Sequence, residues 1–216
     1  IHESQGRYED AEPFYLAALE MRKKLLGDEH PDVATSLNNL AGLYEIQGRY
    51  EEGEPLYQTA LETRKKLLGE EHPDVAASLN DLAILYDRQG RYQEAESLYL
   101  KAIEMWKKLL GEEHPSISNS LNNLAVLYRK QGRYEEAEPL YLEAFEIRKK
   151  LFGEEHPDVA TSLNNLGIFW GKQGNYSKAE GYLEQAYSLL VELLGAEHPH
   201  SIKCKESLEW VRSKMG

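Results

Sequence analysis

Residues 31–69 read PDVATSLNNLAGLYEIQGRYEEGEPLYQTALETRKKLLG, and this stretch decides the fold. Pro31 suits a first helical position, where its missing N–H costs nothing. Asp32 adds negative charge near the positive end of the helix dipole. Leu37, Leu40, Ala41 and Tyr44 follow at helical spacing and form one apolar stripe. Gly48 ends this helix, where a left-handed residue is tolerated. A second helix is predicted from about Tyr50 to Leu68, with apolar positions Tyr50, Gly53, Leu56, Tyr57, Ala60 and Leu61. Glu51, Glu52 and Glu54 near its start and Arg64, Lys65 and Lys66 near its end complement its dipole. Pro55 in its second turn deletes one hydrogen bond and is expected to bend the first turns. The unit is therefore helix, tight turn, helix, closed by Gly69. No segment alternates with strand period over a useful length.

Working outward, the unit recurs. Gly-Arg-Tyr stands at Gly6, Gly48, Gly90 and Gly132, with Gly174-Asn175-Tyr176 completing the series. His-Pro stands at His30, His72, His114, His156 and His198, so the period is constant at 42. All eight prolines fall in two slots of that period. Two domains joined by a linker would not produce this pattern; a stacked array in which each unit buries its apolar face against its neighbours does. Small residues at Ala41, Ala83, Ala125 and Gly167, and at Ala60, Ala102, Ala144 and Ala186, mark where helices approach closely. The expected architecture is all-α, a right-handed solenoid of antiparallel helix pairs running as a single array over residues 1–216. Its parts are a partial repeat at 1–28, full repeats at 31–69, 73–111, 115–153 and 157–195, and a closing helix at 199–214. Residues 1–5 read as the stub of a first helix. The closing helix departs from the pattern, with Lys205 in the Leu37 slot and Trp210 in the Gly42 slot. It reads as a polar-faced end cap or the start of a degraded repeat.

Composition narrows the function classes. Acidic residues outnumber basic ones 37 to 25, a formal net charge of −12. Nucleic acid and anionic membranes need clustered Lys and Arg, so neither is an expected partner. A single cysteine, Cys204, rules out an internal disulfide and fits a reducing compartment; a cytoplasmic location is expected. Mean hydropathy is −0.62, and no apolar run approaches the roughly 20 residues of a membrane span. The chain opens Ile-His-Glu-Ser-Gln, with neither a signal peptide nor an initiator Met, and is expected to start inside a longer protein.

The pattern Leu37-x-x-Leu40-Ala41-x-x-Tyr44-x-x-x-Gly48-x-Tyr50-x-x-Gly53-x-x-x-Tyr57-x-x-Ala60-Leu61 resembles the tetratricopeptide repeat. Leu37, Leu79, Leu121 and Leu163 hold the usual Trp slot, and the usual closing Pro is absent. The longer period, with Arg-Lys-Lys-Leu-Leu-Gly-Glu-Glu-His-Pro-Asp-Val-Ala between repeats and Leu-Asn-Asn-Leu-Ala inside, resembles the kinesin light chain subtype. Bacterial proteins, cyanobacterial ones included, carry similar arrays. The resemblance implies protein binding on the concave side formed by the first helices. Kinesin light chains bind short peptides with an aromatic residue flanked by acids. The family's chaperone-tail clamp is not implied, because its cationic slots hold Asn38 and Gly42, Asn80 and Ile84, Asn122 and Val126, and Asn164 and Ile168.

Catalytic and metal-binding constellations are not expected. The five His-Pro histidines recur one per repeat, on the order of 10 Å apart in a stacked array, which makes a ladder rather than a converging site. Their expected role is to tie down the connection at a helix start. No nucleophile elbow, phosphate loop or zincin motif occurs, so no enzyme activity, cofactor or metal is expected. Tyrosines in repeat slots are expected in the core with a hydroxyl at its edge. The first helix's other face is what remains for binding. There Asn38, Asn80, Asn122 and Asn164 form a ladder, beside an apolar strip of Ile84, Val126 and Ile168. Arg88, Arg129, Lys130 and Lys172 add a basic end. The Asn row either pairs with the backbone of an extended peptide or fixes neighbouring helices; both readings stand. The expected partner is a protein or peptide carrying an apolar anchor and acids, and the rival reading is a spacer that self-associates through its solenoid ends.

Overall fold

The computed structural model describes residues 8–216, and among them it contains ten α-helices and no strand. The helices group into two compact units, Ile1–Gly111 and Glu112–Gly216. The first holds α1 (Tyr8–Leu26), α2 (Pro31–Ile46), α3 (Tyr50–Leu68), α4 (Pro73–Arg88) and α5 (Tyr92–Leu110). The second holds α6 (Pro115–Lys130), α7 (Tyr134–Phe152), α8 (Pro157–Lys172), α9 (Tyr176–Leu194) and α10 (Pro199–Arg212). The proposed first-helix stub at residues 1–5 lies outside the described residues.

Helix starts are set by the His-Pro step. His30, His72, His114, His156 and His198 are the N-caps of the first helices, and each Nδ1 accepts from the backbone N–H two residues on, at 3.1–3.3 Å. The histidine thus satisfies one of the orphan donors of the first turn, and the following Pro needs no partner. The turn between paired helices needs its glycine: Gly48 sits at φ +75°, and the Arg49 N–H bonds back to the Tyr44 carbonyl at 2.8 Å. That turn brings Arg49 over the Tyr44 ring at 4.1 Å, as Arg91 lies over Tyr86 at 3.7 Å and Arg133 over Tyr128 at 3.9 Å. Arg49 also reaches Glu12 of the preceding helix at 2.6 Å, and Arg91 reaches Glu54 at 2.8 Å. The Gly-Arg-Tyr motif is therefore a turn plus a clasp between successive second helices.

Each first helix packs most extensively on the second helix of its own repeat. The small slots sit at those contacts: Ala41, Ala60, Ala83, Ala102, Ala125 and Ala186 are completely buried. At Gly167 the approach is closest, and a Cβ there would lie 2.5 Å from Leu183. A hydrogen bond recurs between three of the second helices and the first helix that follows: Arg22 to Ser36, Arg64 to Ser78 and Arg148 to Ser162, at 2.6–2.8 Å. Arg148 is buried; desolvation pushes its pKa down against the charge of Asp158, and the Asn119 carbonyl accepts from the guanidinium at 2.7 Å. At the end of the second unit the same two slots hold Leu190 and Cys204, both buried. The polar pair is replaced on both sides at once, so neither position keeps an unmet hydrogen-bonding group. Burial pushes the Cys204 thiol up to about 11, which keeps it a packing residue.

Candidate protein-binding face

Within each unit the first helices lie side by side, and one rule governs their contacts. A slot on one first helix meets the slot 43 residues on. Asn38 donates to Asp81 at 2.8 Å, Arg88 pairs with Glu45 at 2.6 Å, and Asn165 donates to Asn122 at 2.7 Å. The Asn row thus ties helices together at Asn38 and Asn122. The carbonyl oxygens of Asn38, Asn80 and Asn164 are buried without a hydrogen-bond partner.

The face of the unit Ile1–Gly111 is acidic at its floor. Glu45 is buried between Arg88 and the Tyr57 hydroxyl, which donates to it at 3.1 Å. Burial pushes the Glu45 carboxyl above its ordinary value, although Arg88 and Tyr57 pull it down. Asp81 is likewise pushed up by burial, against its hydrogen bonds from Asn38 and Asn80. Burial, then Glu45 and Asp81, hold the Tyr57 phenol well above its usual range. Arg88, read from sequence as part of a basic end, is engaged by Glu45. Ile84 is half-buried beside it, and Ile46 is exposed.

In the unit Glu112–Gly216 the charge is reversed and the pattern breaks. Arg129 takes the Glu45 slot, and its Nε donates to the Tyr141 hydroxyl at 3.3 Å. In the next repeat both partners of this polar pair change together: Leu183 takes the tyrosine slot and Gly171 the charged one. Trp210 of α10 fills the freed space, and a Cβ on Gly171 would lie 2.9 Å from its ring. An open pocket of about 300 Å³ results, with Ile168, Leu183, Trp210 and Val211 as apolar walls. Lys172, Glu206 and Ser207 rim it, and the Lys172 ammonium lies 5.1 Å from the Trp210 ring centroid.

The structure therefore places Asn122, Val126, Arg129, Lys130, Asn164, Ile168 and Lys172 on one unit, and Asn38, Asn80, Ile84 and Arg88 on the other. Sequence reading did not single out the pocket walls Leu183 and Trp210. Its signal was the joint loss of the tyrosine and its charged partner. Among the described residues no helix is long and apolar enough to cross a membrane.

The family model described as tetratricopeptide repeat matches residues 1–52, 32–108, 88–150 and 116–192. The curated proteins give no match. Among solved structures, BtubC (BKLC) from P. vanneervenii is 26% identical with a TM-score of 0.83, covering 97% of this chain and 84% of that one. A P. anserina protein of nearly identical TPR-like repeats, of kinesin light chain type, is 28% identical with a TM-score of 0.70, covering 89% of this chain and 92% of its own. A single-substitution variant of it gives 29% and 0.72, covering 88% and 90%.

Proposed function

This chain belongs to the tetratricopeptide repeat family, in its kinesin light chain-like subtype, and from that premise we propose that it is a scaffold binding a peptide segment of a partner on the first-helix face of the unit Glu112–Gly216. Repeats of this family mediate protein–protein interaction, and the family is one of scaffolds. The observation that carries the finer reading is the apolar pocket of Ile168, Leu183 and Trp210 with Lys172 at its rim. A concave apolar pocket with a single cation beside it suits a bulky side chain next to an acid. Arg129 and Lys130, one repeat earlier, extend the same charge along the face. Arg88 contributes nothing to this charge, because Glu45 neutralises it.

The net charge of −12 opposes the approach of an acidic peptide. The local cations act only within a Debye length, about 8 Å at physiological salt. Binding is therefore expected to weaken with added salt. The test is fluorescence anisotropy with labelled peptides carrying one Trp between acids, against the same peptides with Lys in place of the acids. The acidic set binds, and Lys172→Glu with Lys130→Glu abolishes binding while the circular dichroism melt is retained. A preference for the basic set, or undiminished binding by the double variant, refutes the assignment.

A further inference from the structure

Each unit holds a pocket between two successive second helices, and the two pockets differ in charge. In the unit Ile1–Gly111, α3 and α5 both pack on α4, and an open pocket of about 370 Å³ lies between them over Val75 and Leu79. Glu71 and Lys108 line it and pair with each other at 2.5 Å. In the unit Glu112–Gly216, α7 and α9 both pack on α8, and a pocket of about 350 Å³ lies in the same slots two repeats on. Its walls are apolar: Val159 and Leu163 of α8 are buried, and Phe145 of α7 and Leu189 of α9 are half-buried. Lys149 and Glu154 at its edge neutralise each other at 2.7 Å. The ion pair between successive second repeats is missing here. Where Lys66 pairs with Glu29, Lys108 with Glu71 and Lys150 with Glu113, the corresponding slots hold Glu192 and Glu155, and both line the pocket. Neither has a cation partner among the described residues. The apolar pocket therefore opens beside two carboxylates that nothing in the unit neutralises.

We propose that this pocket docks a basic segment of a protein partner: an apolar side chain enters between α7 and α9, and a neighbouring lysine sets its ammonium against Glu155 and Glu192. The site shares no residue with the pocket at Trp210. The chain's own ion pairs specify the chemistry, because a lysine ammonium holds the equivalent place in three other repeats. The corresponding pocket of the first unit is not such a site, since Lys108 already stands where the incoming ammonium would go. The apolar walls supply affinity. Glu155 and Glu192 are exposed, so they govern partner choice and encounter rate more than affinity. The net charge of −12 acts in the same direction and draws a basic segment in, whereas an acidic one meets repulsion at long range and at contact.

The probe is a labelled peptide in which two lysines flank one leucine, titrated into the chain and read by fluorescence anisotropy, with sedimentation velocity recorded in parallel. Saturable one-to-one binding to a monomer is expected, and it should weaken with added salt. Glu192→Lys restores the ion pair to Glu155 and should weaken binding by about tenfold or more, with the circular dichroism melt retained because Glu192 is exposed. The same peptide with serine in place of the leucine, or with glutamates in place of the lysines, should not bind. Absence of saturable binding overturns the proposal, as does equal binding by Glu192→Lys or by the serine peptide. Dimerisation that Glu192→Lys abolishes would give the pocket to a second copy and overturn it too. Acidic and basic peptides are compared at the Trp210 pocket on the Glu192→Lys chain, in which the present site is closed, so the two readings stand or fall separately.

Discussion

At Asp81 a carboxylate occupies the slot that holds Asn39, Asn123 and Asn165 in the other repeats. Burial pushes its pKa up, so folding disfavours the ionised form. For an acid raised in the folded state, the stability present at low pH is lost as pH rises through the folded pKa. Asp81→Asn should therefore raise stability at neutral pH by roughly 1 kcal/mol and flatten the acid-side pH dependence of the melt. The amide should keep a tie to the Asn38 row, because Asn165 and Asn122 bond as two amides at 2.7 Å. A lower melting temperature at pH 7 would mean that the carboxylate is better solvated than its burial implies. The role of the Asn row was not legible from one helix, because a helical wheel gives direction and not the neighbour met there. The offset of 43 was nevertheless encoded in the sequence: Glu45 and Arg88, opposite in charge, stand that far apart, as do Asn38 and Asp81.

Helix boundaries were the most legible feature, since each rests on local chemistry: a histidine acceptor and a proline at the start, a left-handed glycine at the turn. α10, expected over about 199–214, runs from Pro199 to Arg212. Its slot order places no glycine before Gly216, and the end is made instead by Ser213, whose hydroxyl bonds the Trp210 carbonyl at 2.7 Å. Lys214 and Met215 then close three-residue turns onto Val211 and Arg212. Helix phase was legible too. Ala83 is completely buried against the second helix of its repeat, while Ala77 is half-buried on the other side. Ala83→Leu should overpack that contact and cost roughly 1–3 kcal/mol, with Ala77→Leu costing far less. Chemical denaturation of the two variants checks this, and equal midpoints would contradict the observed phase. The pocket beside α8 was less legible, because it is made by subtraction: Gly171 and Leu183 remove a side chain and a hydroxyl, and a wheel records what is present.

Across the whole molecule, stability in a stacked array is local, being a sum over units and their junctions. The clasps and ties recur at fixed offsets, 37 residues for Lys108 to Glu71 and Lys150 to Glu113, and 43 along the first helices. Gly69-Glu70-Glu71-His72-Pro73 returns unchanged at Gly111-Glu112-Glu113-His114-Pro115 and again at Gly153-Glu154-Glu155-His156-Pro157. Unequal crossover between two of these breakpoints deletes or duplicates 42 or 84 residues and rejoins the chain on the sequence it had before. Repeat number can drift in the gene while every junction is preserved.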